Sequence, residues 1–368
     1  MRIRGVDRRT IQLGEGARSV EILDQTRLPF EVAFRELATL ADAAEAIASM
    51  RVRGAPLIGV AAAYGLWLAL RAEASDAALD AACKELLATR PTAVNLAAAL
   101  ARMRAVVLPQ APGARAAAAL REASRMADED VATNRAIGGH GLALLRPAAG
   151  RRGAGEPVQV LTHCNAGALA TVDLGTALAP VYLAHDQGLR VHVWVSETRP
   201  RNQGAGLTAF ELAEHGVPHT VVADNAAGHL LQRGRVDLCL VGTDRTTAAG
   251  DVCNKIGTYL KALAARASEV PFYVAAPSSS IDWALADAAA IPIEERDAQE
   301  QACVAGRADD GRLLRVRVQP EASPAANPAF DVTPAGLVTA LVTERGVCAA
   351  SAAGLLALFP ERGEARVP

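Results

Sequence analysis

The hydrophobic positions follow a strand pattern in the second part of the chain. Short, continuous apolar runs alternate with segments of helix length, and the runs are Val158–Leu161, Val191–Val195, Thr220–Ala223, Val236–Val241 and Phe272–Ala276. Apolar strands that alternate with helices indicate a parallel sheet covered on both faces. The pattern therefore predicts an α/β fold with a doubly wound, Rossmann-like parallel sheet.

The first part of the chain has a helical pattern instead. After a short strand and turn at Val20–Leu23, the spacing of apolar residues predicts helices at Thr39–Met50, Leu57–Glu73, Ala77–Leu87, Val94–Val107 and Ala114–Leu145. The stretch from Pro147 to Pro157 combines Pro, Gly and charge without periodicity. We expect a mainly helical N-terminal domain over residues 1–147 and a Rossmann-like catalytic domain over 157–368.

The end of the chain gives weaker signals. Gly306–Pro334 lacks a clear period, and within it Leu313–Val318 has the composition of an edge strand. The pattern predicts a last helix at Ala335–Glu344. The charged tail Glu361–Pro368 is expected to be frayed.

Each predicted strand of the sheet ends in a cluster of polar residues. In parallel sheets, ligands bind beyond the carboxyl ends of the strands. Cys164 lies there, before a helix expected to begin near Ala168, and the positive end of a helix dipole lowers the pKa of a thiol. A buried structural cysteine is the alternative, and we expect that role for Cys83, Cys239, Cys303 and Cys348.

Two aspartates also follow apolar strands. Asp244 comes after Val236–Val241, and a carboxyl group enclosed at that point is expected to have a raised pKa and to act as an acid or base. A helix N-cap or a turn residue is the alternative for Asp244. Asp224 has the same placement, and for it the N-cap interpretation has equal weight.

Several residues are candidate anion binders. Arg51, Arg53 and Arg90 carry fork-shaped guanidinium groups, and Arg53 precedes a glycine that allows close approach of the backbone to a ligand. Arg90 with Pro91 and Thr92 is predicted at a helix start, which favours phosphate. Lys255 with Asn254 adds a further cation and amide, and Gln203 lies in a glycine-containing loop.

Composition and motifs exclude several classes of function. The 368 residues carry 38 basic and 40 acidic side chains, so no overall field favours nucleic acid. The six cysteines form no CxxC pair and the start lacks an apolar leader, which predicts a cytoplasmic protein. Ala55–Leu70 is too short to span a bilayer, so no membrane contact is expected. No metal-ligand spacing or dinucleotide-binding motif occurs, so neither a metal nor another cofactor is predicted.

Together these segments resemble the 5-methylthioribose-1-phosphate isomerase family, which shares a superfamily with regulatory subunits of the exchange factor for translation initiation. The similar segments follow one another along nearly the whole chain: Val52–Pro56, Arg90–Leu96, Thr162–Ala170, Glu197–Gly204, Gly242–Arg245, Asn254–Tyr259, Pro292–Arg296 and Asn327–Pro334. A departure is Ala97-Ala98, where the family usually has an aromatic residue.

The resemblance implies an aldose–ketose isomerase of methionine salvage that acts on a sugar phosphate. It implies that Cys164 and Asp244 form the catalytic pair. The substrate contacts that it implies are Arg53, Gly54, Ala55, Arg90, Gln203, Asn254 and Lys255. A homodimer formed mainly by the C-terminal domain is expected by analogy.

Alternatives remain open at this point. The substrate is 5-methylthioribose 1-phosphate or, alternatively, 5-deoxyribose 1-phosphate or ribose 1,5-bisphosphate. A non-catalytic regulatory protein of the translation-factor branch, and a sensor that binds sugar phosphate without turnover, are the other readings. Two mechanisms fit the residues, one through an enediol and one through a hydride shift from C2 to C1.

Overall fold

The computed structural model describes residues 1–91, 93–153 and 155–364. Thr92, which belongs to one predicted phosphate-binding segment, and residues 365–368 of the tail lie outside the described residues. Near the N-terminus the short strands are β1 (Arg2–Ile3), β2 (Val6–Asp7), β3 (Ile11–Leu13), β4 (Val20–Leu23) and β5 (Phe34–Leu37). The strands β3, β4 and β5 contribute to the core of the helices that follow, whereas β1 contacts the helix Ala209–His215 in the second part of the chain.

The helical N-terminal region was predicted correctly. Its helices are α1 (Leu40–Ala48), α2 (Ala55–Ala72), α3 (Asp76–Thr89), α4 (Val94–Val107) and α5 (Pro112–Arg151). Thr39 caps α1 by accepting a hydrogen bond from the Asp42 N–H, while Asp42 accepts one from the Thr39 N–H. α2 runs two residues beyond the apolar stretch Ala55–Leu70, so the prediction that it is too short to span a membrane was wrong by length; 72% of it is nevertheless buried inside the fold, against α4 and α5. It is the central helix of this core.

One long helix passes through the predicted boundary between the two regions. α5 continues past Pro147 to Arg151, and its buried residues Leu142, Leu145 and Ala148 belong to the core around the large sheet. Pro147 lies within this helix and is exposed, while Leu145 and Ala148 beside it are buried. The predicted helix end at Leu145 was therefore wrong by six residues, while the proposed domain limits stay a prediction.

The second part of the chain forms the doubly wound sheet that was predicted. Its strands are β6 (Val158–His163), β7 (Val191–Ser196), β8 (His219–Val222), β9 (Leu238–Val241), β12 (Phe272–Ala275), β17 (Ala340–Thr343) and β18 (Gly346–Cys348). They lie in the order β18-β17-β12-β9-β6-β7-β8, and all pairs are parallel except β17 with β18. The chain first builds β6, β7 and β8 outward and then returns to place β9 on the other side of β6. This reversal defines a switch point between β6 and β9.

Smaller strands and helices complete the second part. The remaining strands are β10 (Arg245–Thr247), β11 (Val252–Lys255), β13 (Ile281–Asp282), β14 (Cys303–Arg307), β15 (Leu313–Arg317) and β16 (Phe330–Thr333). The remaining helices are α6 (Ala179–Asp186), α7 (Ala209–His215), α8 (Ala226–Gln232), α9 (Thr258–Ala267), α10 (Ala298–Ala302), α11 (Ala352–Leu358) and α12 (Glu361–Glu364).

One prediction for the C-terminal end was wrong and another was confirmed. The predicted helix Ala335–Glu344 is a single 3₁₀ turn, Ala335–Leu337, followed by β17, because the run from Val338 to Thr343 is rich in β-branched residues and pairs with β12. The predicted edge strand Leu313–Val318 is confirmed as β15, which pairs with β14 in a separate two-stranded hairpin.

Candidate active site

The structure brings all nine residues of the sequence-derived site to one cavity. The cavity has an empty volume of about 790 Å³ and lies between the N-terminus of α2 and the carboxyl edge of the sheet. These nine, which are among the residues that line the cavity, are Arg53, Gly54, Ala55, Arg90, Cys164, Gln203, Asp244, Asn254 and Lys255. Cys164 follows β6 and Asp244 follows β9, so both lie at the switch point, where crevices form in doubly wound sheets.

The backbone at Cys164 has an unusual conformation. Its φ of +62° lies in the left-handed region, which is uncommon for a residue with a side chain. The Cys164 N–H donates to Thr198 Oγ1 at 2.8 Å, and the Thr208 hydroxyl donates to the Cys164 carbonyl at 2.6 Å. Two threonines from the segment after β7 therefore hold the cysteine in place. Strained conformations of this kind occur most often at functional sites.

The predicted effect of a helix on the Cys164 thiol was wrong. Ala168–Ala170 is one 3₁₀ turn and the next α-helix begins only at Ala179, so the helix that was predicted to follow Cys164 and to act on its sulfur is not there. Burial raises the pKa of Cys164, and the nearby charges of Lys255 and Arg53 offset this only in part. The thiol is therefore the favoured form at neutral pH.

Asp244 lies opposite, between β9 and β10. No helix follows it, and its own N–H donates to the Cys253 carbonyl at 3.0 Å, so it is not an N-cap. Burial raises the pKa of Asp244, while Lys255, Arg90 and Arg53 lower it to a smaller extent. A raised pKa is expected for a carboxyl group that keeps its proton closer to neutral pH.

Arg53 and the start of α2 line the same cavity as Cys164 and Asp244. Arg53 is 9% exposed; its Nε donates to Gln25 Oε1 and its Nη1 to the Asn165 carbonyl, both at 3.0 Å. Its Nη2 is buried and has no hydrogen-bond partner among the described residues. Gly54 has a φ of +97°, and a Cβ there would lie 2.5 Å from the Ala170 carbonyl oxygen. The chain can therefore enter α2 at Ala55 only through glycine.

The other four substrate-contact candidates surround the cavity. Arg90 lies after the last residue of α3 and not at a helix start, and its Nη2 is 3.6 Å from Glu294 Oε2. Lys255 ends β11 with its Nζ 4.7 Å from the centre of the Phe330 ring, and burial lowers its pKa. Asn254 Nδ2 donates to Thr258 Oγ1 at 3.0 Å. Gln203 precedes the π-helical turn Gly204–Thr208, and its Oε1 is buried without a partner in the described part of the chain.

Two other candidates have structural roles. Arg51 pairs with Asp24 and with Glu45, at 3.0 Å from the latter, so it is not an anion binder of this cavity. Asp224 does not cap α8: its carboxylate accepts from the Thr198 N–H at 2.9 Å and the Arg199 N–H at 2.7 Å. Asp224 therefore holds the loop after β7 in position.

His163, next to Cys164, is a neutral core residue. It is fully buried, and desolvation together with the positive charge of Lys261 lowers its pKa to about 3. Its Nε2 lies 2.8 Å from the Ile256 carbonyl, which can only accept, so Nε2 carries the proton. The residues that the structure describes contain no cluster of three His, Cys, Asp or Glu side chains placed to hold a metal ion.

Sequence reasoning missed a second group of charged residues at the cavity. Arg201, Glu294 and Arg296 line it, and Glu300 joins the two arginines, with Arg201 Nη1 at 2.6 Å and Arg296 Nη2 at 2.7 Å. Hydrogen bonds and charge from these arginines lower the pKa of Glu300 to about 2 despite burial. The only signal in the sequence was the charged run Glu294-Glu295-Arg296, which resembles an ordinary solvated surface.

The fold and site define a class of protein. The model of the initiation factor 2 subunit family matches residues 51–350. The chain therefore belongs to this family. The chain is 63% identical to the methylthioribose-1-phosphate isomerase of Methylorubrum populi, over 99% of this chain and 100% of that one. It is also 60% identical to the protein of that name from Rhizobium meliloti, over 96% and 97% of the two chains.

Solved structures agree with this assignment. The crystal structure of 5-methylthioribose 1-phosphate isomerase from Pyrococcus horikoshii has a TM-score of 0.83 and 39% identity, covering 96% of both chains. The delta subunit of translation initiation factor eIF-2B from A. fulgidus has a TM-score of 0.80 and 38% identity, covering 96% of this chain and 100% of that one. The mixed α/β fold with a helical N-terminal region is thus confirmed.

Proposed function

We propose that this protein is an aldose–ketose isomerase that converts 5-methylthioribose 1-phosphate to 5-methylthioribulose 1-phosphate in methionine salvage. The observation that carries the proposal is the cavity at the switch point, which Cys164 and Asp244 line together with the cationic residues Arg53, Arg90 and Lys255. The full-length identity of 63% to a protein of that name supports the same substrate. The free, scattered cysteines favour a cytoplasmic location.

The phosphate of the substrate binds, in this proposal, at the N-terminus of α2. The first turn of a helix presents backbone N–H groups and a positive dipole to an anion. Arg53 adds the buried Nη2 that lacks a partner among the described residues, and Arg90 and Lys255 add two further charges on the same cavity. A dianion there satisfies groups that are costly to leave buried and unpaired.

Asp244 is the proposed acid for ring opening. The phosphate on the anomeric oxygen blocks the simple ring opening available to free sugars, so the ring oxygen needs a proton while the C1 phosphate stays bound. Burial favours the protonated form of Asp244 that can supply it. Hydrogen must then move from C2 to C1 to give the ketose.

Cys164 has a different role in each of the two routes. In the enediol route its thiolate removes the C2 proton; because burial raises the Cys164 pKa more than Lys255 and Arg53 lower it, this route uses the minor, deprotonated form of Cys164 at neutral pH. In the hydride route C2–H transfers to C1 directly, and the site only stabilises charge. Deuterium at C2 separates the routes: direct transfer retains all of it at C1, whereas an acid–base route loses part of it to solvent.

The test is turnover by the purified protein of 5-methylthioribose 1-phosphate, 5-deoxyribose 1-phosphate and ribose 1,5-bisphosphate, compared side by side. The proposal expects the highest kcat/KM for the first substrate. A higher kcat/KM for either of the others would move the function to that sugar phosphate. Binding of all three without turnover would support a sensor or a regulatory protein of the translation-factor branch.

A further inference from the structure

Asn165 is a buried polar residue of the cavity to which the proposed chemistry gives no role. It follows Cys164 directly, is 4% exposed and lines the cavity. Its Oδ1 is buried without a hydrogen-bond partner among the described residues. An unpaired amide oxygen in a protein interior is unfavourable unless a ligand or water supplies a donor.

The neighbours of Asn165 determine which way its amide faces. The single hydroxyl proton of Thr208 is donated to the Cys164 carbonyl, at 2.6 Å. Toward Asn165, 3.1 Å away, Thr208 Oγ1 can then only accept, so Nδ2 must be the atom on that side. The second proton of Nδ2 is donated to Glu211 Oε1. Both donors of the amide are therefore used, and Oδ1 is left as an acceptor only.

The surroundings of Glu211 hold its carboxyl group next to the Asn165 amide. It is fully buried on α7, it also accepts from the Leu169 N–H at 3.4 Å, and a Cβ on Gly167 would lie 2.0 Å from its Oε1. Gly167 therefore leaves room for the carboxyl group. The backbone carbonyl of Asn165 accepts a hydrogen bond from Arg53 Nη1 and so supports the proposed phosphate site. The side-chain Oδ1 keeps its capacity to accept a hydrogen bond from a ligand.

We propose that Asn165 is a specificity-determining residue whose Oδ1 accepts a hydrogen bond from one ring hydroxyl of the substrate, with Glu211 and Thr208 as the positioning residues that fix this orientation. This inference rests on the proposed function, since it takes the ligand to be a pentose 1-phosphate. The oxygen lies one residue from Cys164, so the hydroxyl in question is on C2 or C3, close to the reacting carbons. A sugar that lacks this hydroxyl leaves Oδ1 unpaired and is rejected.

The experiment uses ribose 1-phosphate, 2-deoxyribose 1-phosphate and 3-deoxyribose 1-phosphate as competitors of 5-methylthioribose 1-phosphate turnover. With the wild-type enzyme, we expect the loss of the contacted hydroxyl to raise Ki by roughly 5- to 100-fold. Asn165→Ala keeps the backbone carbonyl for Arg53. In this variant the rise in Ki on loss of the contacted hydroxyl should fall below about 2-fold, while any rise in Ki on loss of the other hydroxyl should stay as in the wild type.

Asn134→Ala is the matched control. Asn134 is also fully buried, its Nδ2 donates a hydrogen bond, and its Oδ1 has no partner in the part of the chain that the structure describes. It lies on α5 and outside the cavity, so both effects on Ki should stay at their wild-type values. The inference is overturned if Asn165→Ala leaves both penalties unchanged. If Asn165→Ala does not fold, the wild-type data still decide, because the absence of any deoxy penalty contradicts a hydroxyl contact. Failure of the proposed function is distinct, since the wild-type enzyme would then not turn over 5-methylthioribose 1-phosphate.

Discussion

In the proposed mechanism, the residues of the cavity divide into those that hold charge and those that exchange protons. Arg53, Arg90 and Lys255 contribute positive charge, while burial favours the neutral forms of Cys164 and Asp244. A phosphate dianion bound to the cations would act on both proton-exchanging groups through the same low-dielectric space. The site is therefore organised for a substrate that carries its own charge next to the carbons that react.

Substitution of the proton-exchanging residues tests this division. We expect Cys164→Ser and Asp244→Asn to fold and bind substrate but to lose about a hundred- to ten-thousand-fold in kcat, because both changes nearly preserve shape and remove acid–base function. The measurement is steady-state kinetics with a binding titration. Cys348→Ser, a partly buried cysteine of β18 away from the cavity, is the control. Near-normal turnover of Cys164→Ser would exclude the sulfur as the base.

Substitution of the cationic residues of the cavity should affect the kinetics differently. Lys255→Ala or Arg90→Ala removes a charge that binds the phosphate in the ground state and the transition state alike, so KM should rise more than kcat falls. Kinetics and inhibition by inorganic phosphate measure the effect. A loss confined to kcat in both variants would mean that these cations act on the reacting carbons instead.

Glu211 should affect stability through pH. Burial raises its pKa from 4.5 to about 7, so between these values the folded protein binds more protons than the unfolded chain. The free energy of unfolding then falls as pH rises through this window, by ~3 kcal/mol from this one group. Glu211→Gln should reduce the dependence measured by denaturant unfolding at pH 5 and pH 7.5, while Asp130 of α5, whose pKa burial also raises to about 7, keeps its own share. Glu85→Gln, an exposed residue of α3, should leave the dependence unchanged, and an unreduced slope in Glu211→Gln would contradict the prediction.

Among the elements, the start of α2 is the one on which the proposed phosphate site depends most. Gly54→Ala would force a side chain into a φ of +97° and against the Ala170 backbone. We expect a loss of 2 kcal/mol or more in unfolding free energy, with weaker phosphate binding, since strain and overlap both add. Gly139→Ala, in the exposed interior of α5 with open space around it, should instead stabilise by about 0.5–1 kcal/mol. Equal behaviour of the two variants would contradict this account.

The elements also show what could be predicted from the sequence. Strands such as β6 and β9 were predicted correctly because their apolar runs are uninterrupted, and the edge where they end followed from parallel pairing. The 3₁₀ turn after Cys164 was not predictable, because Ala168–Ala170 has high helix propensity, whereas its contacts, of Ala170 with Gly54 and of the Leu169 N–H with Glu211, are made by residues distant in the sequence. Arg201 and Glu300 meet across nearly a hundred residues, and no local pattern records such a contact.

At the scale of the whole molecule, the apolar surface favours self-association through the C-terminal part. α9 exposes Leu260, 63%, and Leu263, 38%, while the hairpin β14–β15 exposes Val316, 54%. Exposed apolar side chains grouped on one element are typical of an interface. The homodimer expected from the sequence is therefore retained as a proposal, with α9 as the element to test.

Sedimentation velocity at about 10 µM measures the oligomeric state, a concentration at which a dimer with micromolar or tighter affinity is largely associated. We expect the wild-type protein to sediment as a dimer and the double variant Leu260→Glu with Leu263→Glu to shift toward monomer, because buried carboxylates without partners oppose association. The control is Leu108→Glu, which changes a 44% exposed leucine just after α4 in the helical region and should leave the dimer intact. A monomeric wild-type protein would reject the dimer, and dissociation by Leu108→Glu alone would place the interface on the N-terminal helices instead.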